Sequence, residues 1–320
     1  MEAGSEANAA AGAVETTGVA GAAAGKGAGG PPVSSQPVRV DSPPDRPVAA
    51  AGTRAWSRAV GDLVTGWGHR ELWGHLGWQD IRQRYRRSVL GPLWITLSMA
   101  VTAVALGLLY SQLFGQPLRI FLPYVTVGFI IWGFIQGCIN EGSEVFIANE
   151  GLIKHLPSPL SVHVFRLVWR HTLFFVHNLA VYVVMLVFFD VPVGWGVLLA
   201  IPAFALLMIN GMWVAFLAGI VSTRFRDIPP VVQSVVQLMF FMTPIVWMYD
   251  QLLNDPRTAQ RARWVEFNPF LHFVEIVRRP MLGQSFEPRH WLISGLITVI
   301  GCLLALVCLR NYRARVAYWV

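Results

Sequence analysis

Six stretches of this chain carry no Asp, Glu, Lys or Arg: Pro92–Phe114, Ile120–Asn140, Thr172–Phe189, Val191–Thr223, Ile228–Tyr249 and Trp291–Leu309. A bilayer core about 30 Å thick needs about 20 helical residues to cross it. Every stretch is near or above that length, so the sequence predicts an all-α polytopic membrane protein with six transmembrane helices. The expected spans are about 92–114, 120–140, 160–189, 195–221, 228–249 and 291–309, the third beginning upstream of its uncharged part. Barrel strands would be shorter and would alternate apolar with polar, which these stretches do not. Charged residues make up 13% of the chain, about half the share of a soluble domain, which argues against a soluble enzyme.

The net charge is nevertheless +7. A basic apolar chain is either a nucleic-acid binder or a membrane protein with basic cytoplasmic loops. The positions of the charges favour the membrane and no nucleic acid. With both termini inside, the inner segments from residue 54 onward hold 15 Lys and Arg and the outer segments hold 7. Both termini are therefore expected in the cytoplasm. The exception is 250–290, which interleaves Trp264, Phe267, Phe270, Leu271, Phe273, Val274 and Val277 with charges. It reads as short re-entrant helices that dip into the outer membrane surface between spans five and six.

Residues 1–53 are mostly Ala, Gly, Pro and Ser with no aromatic ring, and read as a disordered cytoplasmic tail. Glu2 and Glu6 stand where a signal peptide would be basic. Gly21–Gly27 is one residue short of a phosphate-binding loop and lacks its Ser/Thr, so the chain is not expected to bind ATP itself. Cys138, Cys302 and Cys308 lie inside apolar stretches and read as small hydrophobes, without metal spacing.

Residues 54–91 read as an amphipathic interface segment. Within it, Leu72, Trp73 and Leu76 share one helical face, and Trp78, Ile81, Tyr85 and Val89 share another. The apolar direction rotates near Gly77, which predicts a kink there or two short helices. An aromatic-rich amphipathic helix before a span belongs at the membrane interface. Arg82, Arg84, Arg86 and Arg87 would then lie at headgroup depth. They either orient the protein on anionic lipid or bind a phosphate-bearing headgroup, whose oxygens match the guanidinium fork.

The run Arg82-x-Arg84-Tyr85-x-x-Ser88-x-Leu90-Gly91-Pro92-Leu93-Trp94 resembles the segment before the first span in type-2 ATP-binding-cassette permeases. The branch in question exports polysaccharides and polyol phosphates such as O-antigen and teichoic acid. Glu150–Leu160 resembles that family's first cytoplasmic loop. Thr223–Pro229 followed by Thr243-Pro244 resembles its loop and fifth span, and Asn268–Glu275 resembles its external segment. The four occur in order over about 69–310.

The resemblance implies a homodimer working with two copies of a separate ATPase, which would hold the ATP and Mg; this chain would carry no cofactor and would not be an enzyme. Leu72, Trp73 and Leu76, with Glu150, Leu152, Ile153, Lys154 and His155, would dock on the ATPase. The lipid headgroup would approach at Arg82, Arg84, Tyr85, Arg86, Arg87, Ser88, Leu90 and Gly91. The first and fifth spans would line a channel between protomers, and the outer helices would gate it.

Read on their own, Trp94, Ser98 and Thr102 recur at i+4 in the first span, and Gln112 returns near that face. In the fifth, Gln233 and Gln237 are one turn apart, followed by Phe240, Phe241 and Thr243. Hydroxyls, amides and aromatic faces suit a passing sugar chain; the same residues also serve as glue between membrane helices. His177 is the one ionisable group deep in a span and reads as a packing histidine, so proton coupling is not expected. Arg166 and Arg170 read as snorkelling to the headgroups. Trp247, Tyr249, Trp264, Phe267 and Phe270 read as an interfacial belt, some of which would ring the outer mouth.

The expected function is the transmembrane subunit of an ATP-driven exporter of a lipid-linked polysaccharide in a bacterial cytoplasmic membrane. The alternatives are a drug or antibiotic exporter permease of the same superfamily, or a membrane-embedded glycosyl- or acyltransferase. Of the 25 basic residues only Lys26 and Lys154 are lysine. That bias suggests a GC-rich genome, where the resemblance would point to the exporter of an actinobacterial cell-wall galactan.

Overall fold

A computed structural model describes residues 55–320 apart from 85, 87–90, 92, 156–157, 255 and 257–258. The expected tail lies outside the described residues. Among those described there is no strand, and the chain is all-α. Two helices precede the bundle, α1 (Trp56–Gly68) and α2 (Arg70–Arg84). Long helices follow: α3 (Leu93–Leu113), α4 (Leu118–Glu144), α6 (Leu160–Phe188), α7 (Ala200–Arg224, led by a 3-10 turn from Trp195) and α12 (Pro288–Trp319). The short α5 (Glu150–His155) joins α4 to α6. Between α7 and α12 come α8 (Ile228–Met242), α9 (Tyr249–Asn254), α10 (Ala259–Ala262) and α11 (Pro269–Met281).

Among the described residues five helices are long and apolar enough to cross a membrane: α3, α4, α6, α7 with its leading turn, and α12. The expected fifth span, 228–249, is different. Its helix, α8, has 15 residues, about 22 Å, and stops at Met242. Pro229 and Pro230 open it, at positions where their missing N–H is no loss. Beyond it Thr243–Met248 is non-helical, yet Thr243, Pro244, Ile245 and Val246 are buried. Backbone of that kind survives at depth where other groups satisfy it. The Pro244 carbonyl accepts from Arg278 Nη1 (2.6 Å) and from the Tyr124 hydroxyl (3.2 Å). The Asn268 amide donates to Thr243 Oγ1 (2.9 Å) and to the Met242 carbonyl (3.3 Å).

The core is built on α4, which packs against α3, α6, α7, α8 and α11. Its apolar window is 72% buried, against 11% for α3. Small residues bring α4 close to α7: a Cβ on Gly142 would lie 2.9 Å from the Cα of Ala215, the small-residue contact typical of membrane helices. The α7–α12 seam adds polar glue, with Asn210 Nδ2 donating to Thr298 Oγ1 (2.7 Å) and Trp213 Nε1 donating to Asn210 Oδ1 (2.7 Å).

One expectation changes. The interface segment does not kink at Gly77: α2 runs through it unbroken, and the break comes at His69 between α1 and α2. Gly77 faces α6, where a Cβ would meet Trp169 at 2.9 Å, so it is a close-approach residue rather than a hinge. The 250–290 segment forms short helices, α9, α10 and α11. Residues Leu271–Arg278 of α11 are all buried, and the helix packs on α4, α7 and α12. The expected C-terminal tail, 311–320, continues α12 as helix to Trp319.

Candidate functional site

α3 packs on α4 and α6, and α8 on α4 and α7, and each leaves one face open. On α3, Trp94, Ser98, Thr102 and Gln112 are exposed. Ser98 and Thr102 return their hydroxyls to the helix, donating to the carbonyls of Ile95 (3.0 Å) and Ser98 (2.9 Å). On α8, Gln233, Gln237 and Phe241 are exposed, and Gln233 Nε2 donates to Glu144 Oε1 of α4 at 3.3 Å. Phe240 turns toward α4 instead, packing on Phe129 and Trp132 (ring centroids 5.6 and 5.9 Å). Thr243 is fully buried and donates to the Met239 carbonyl. The structure therefore brings seven of the nine predicted channel residues to open faces and turns two inward: Phe240 shares the inner face of α8 with Val236 and Met239, and Thr243 follows the end of the helix.

In the segment expected to meet the headgroup, Arg82 and Arg86 are exposed and Gly91 takes a positive φ of 55°. Tyr85, Arg87, Ser88 and Leu90, and the side chain of Arg84, lie outside the described residues. Of the residues expected to dock on a partner, Leu72 is exposed, while Trp73 packs against Phe165 and Trp169 of α6 (6.1 and 6.0 Å) and Leu76 is half-buried. The exposed apolar stripe belongs to α1, whose Trp56, Val60, Val64 and Trp67 follow helical spacing. α5 presents Leu152 and His155 outward, with Ile153 half-buried. Its Lys154 hydrogen-bonds Glu150 one turn back at 2.5 Å and holds that carboxyl below its usual range.

At the opposite end the predicted gate aromatics divide. Trp264 and Phe267 are exposed and adjacent (5.7 Å). Phe270 packs edge-on against Trp132 (5.5 Å), and Trp247 Nε1 donates to the Phe241 carbonyl (3.2 Å). The Tyr249 hydroxyl donates to Glu266 Oε1 (2.6 Å), which Arg289 also meets at 3.1 Å. Burial and this carboxylate raise the Tyr249 hydroxyl, while the hydrogen bond lowers Glu266.

The family model for the ABC-2 type transporter matches residues 71–282. The chain belongs to that family. The matched region runs from the start of α2 to the end of α11, so it holds the α3, α4 and α8 faces and α5 together. An O-antigen export system permease protein RfbA of Klebsiella pneumoniae is 26% identical over 70% of this chain and 86% of its own length. A second Klebsiella pneumoniae protein of that name is 23% identical over 73% and 90%. One from Myxococcus xanthus is 22% identical over 60% and 73%. As an ABC-2 type permease the chain is the membrane subunit of a transporter, and permeases of this family work with ATP-binding-cassette partners. Its apolar helices are those of a multi-pass membrane protein.

Two charge clusters of this permease escaped the sequence reading. Asp62 of α1, 0% exposed in its side chain, accepts the backbone N–H groups of Leu160 (3.3 Å) and Ser161 (3.0 Å) at the start of α6, and takes Arg313 of α12 at 2.5 Å. Arg166 and Arg170 do not snorkel. Arg166 grips Asp80 of α2 with two nitrogens (2.9 and 2.5 Å), and Arg170 bonds Asp80 (2.9 Å) and Glu141 of α4. The signal available was the four-residue spacing of two arginines on an apolar helix. Their partners lie 86 and 90 residues away in Asp80, a separation no local pattern encodes.

Proposed function

We propose that this chain is the transmembrane subunit of an ATP-driven exporter of a lipid-linked polysaccharide. It would form a homodimeric channel in a bacterial cytoplasmic membrane, energised by two copies of a separate ATPase, with both termini on the ATPase side. One observation carries the reading: α3 and α8 present hydroxyls, amides and aromatic rings on open faces either side of the buried α4. Ser98 and Thr102 are already bonded within α3, but side-chain amides such as that of Gln237 are costly against lipid, so these faces belong against a second copy and a polar cargo. Hydroxyls and amides hydrogen-bond sugars weakly and in many registers, which suits a moving polymer. The names of the curated relatives agree with this cargo class.

Depletion in the producing bacterium should trap lipid-linked glycan in the inner leaflet, and gentle purification should bring down an ATP-binding-cassette ATPase. Undiminished glycan export with no ATPase partner overturns the proposal. A drug exporter permease would bring down the ATPase yet leave glycan lipids untouched.

A further inference from the structure

We propose that Asp80 is a positioning residue that carries movement of α2 into the bundle, through Arg166 and Arg170 to α6 and through Glu141 to α4. This rests on the reading above of an exporter driven by a separate ATPase, and takes α2, where Leu72 is exposed, as a helix on the face that meets it.

The contacts form one continuous chain. Asp80 on α2 takes both arginines of α6. Arg170 passes on to Glu141 of α4, which His171 also meets at 3.1 Å. Glu144, one turn further along α4, accepts from Gln233 of α8. Four helices are thus linked, from the membrane-surface helix to the open face of α8.

The chemistry suits transmission rather than simple attachment. Apart from this cluster, α2 meets α6 through Trp73 and Gly77, and Ile81 of α2 is buried. Flat apolar contacts resist separation, but they slide. A two-nitrogen guanidinium grip on a carboxylate fixes direction as well as distance, so shear on α2 must drag α6. The charges are also matched, with Asp80 and Glu141 against Arg166 and Arg170. They border a cavity of about 570 Å³ that also holds Gln83, Glu144, Asn149 and His163. That polar space lets the arginines re-pair between Asp80 and Glu141 without stranding a charge in hydrocarbon. Packed cores switch between discrete arrangements rather than deform smoothly, and such an exchange of partners supplies two of them.

The test uses the permease–ATPase complex in nanodiscs of phosphatidylethanolamine and phosphatidylglycerol. Spin labels on the exposed positions His75 of α2 and Ser234 of α8 are each measured against a label on the ATPase and against each other. In the parent complex, nucleotide should move both. In Asp80→Asn the His75 label should still move while the Ser234 label loses its shift, and ATP hydrolysis should continue. Asp80→Glu, which keeps the charge, should restore the Ser234 shift; a merely structural defect would not respond this way. Arg170→Gln is the second variant should Asp80→Asn not fold, and it should lose the same shift. A nucleotide-driven shift at Ser234 that survives in either variant overturns the inference alone. Failure of an ATPase to co-purify overturns the functional reading and this inference with it, whereas no movement at His75 in the parent overturns the inference alone.

Discussion

The guanidinium carbon of Arg278 lies 3.8 Å from the centroid of the Tyr124 ring, and the two side chains converge on one carbonyl, that of Pro244. Arg278 is 0% exposed and pairs with Glu275 one turn back. This arrangement pins the break after α8 to α11 and α4. Breaking a buried pair by removing one partner costs about 3–5 kcal/mol, whereas replacing both charges with apolar groups costs far less. Arg278→Met should therefore lower the melting temperature in detergent sharply, and Arg278→Met with Glu275→Met should recover part of the loss. An equal or larger drop in the double variant would contradict this account.

Asp62→Ala should free the first amides of α6. Loss of an N-terminal cap costs about 1–2 kcal/mol, and here Arg313 loses its carboxylate as well. Hydrogen exchange should speed up selectively at Leu160 and Ser161. Unchanged protection there would remove Asp62 as the cap of α6.

Gly77→Val should lift α2 from α6, since even a Cβ meets Trp169 at 2.9 Å. Overpacking of this sort costs about 1–3 kcal/mol. Trypsin should then cut faster at Arg82. A glycine that acted as a hinge would give slower cutting when stiffened.

Glu266 should give the α9–α11 region a weak pH dependence. The Tyr249 hydroxyl, and then Arg289, lower its carboxyl below the ordinary value of ~4.3. Its stabilisation is present above that value and is lost as pH falls through the lowered one. The site is partly open to solvent, so screening keeps the effect small. A melting curve from pH 6 down to about 3 should steepen in the parent and flatten in Glu266→Gln.

Trp264→Ala and Phe267→Ala should leave stability within about 0.5 kcal/mol, as exposed substitutions do. Phe270→Ala should cost up to about 3 kcal/mol, because its ring packs on Trp132. Equal melting temperatures for all three would mean that Phe270 is not part of the core.

Much of the fold was legible because lipid leaves few choices. A stretch such as Pro92–Phe114, with no charge and the right length, can lie in hydrocarbon only as a helix, since every backbone group must be satisfied within the segment. α3, α4, α6 and α7 follow the stretches that predict them, and the polar stripe of α3 could be read from i+4 spacing alone. The fifth stretch misled because hydropathy measures what a segment tolerates, not where its helix ends. Ile245 and Val246 are apolar and buried in protein, and the carbonyls beside them are met by Arg278, Tyr124 and Asn268, which arrive from other helices.

The sequence by itself determined that the chain is helical and membrane-embedded, which family it resembles, and which faces of α3 and α8 carry polar groups. Helicity, membrane embedding and the polar faces depend on composition and short-range periodicity, whereas the resemblance rests on four motif stretches in order. Tertiary structure decided the rest: that Gly77 is a contact rather than a kink, that Thr243 and Phe240 turn inward, and that Arg166 and Arg170 are gripped by Asp80 rather than dissolved in headgroups. Each of these depends on a partner dozens of residues away. A charge beside the apolar helices finds its place by which opposite charge the packing delivers, and packing is not periodic in sequence.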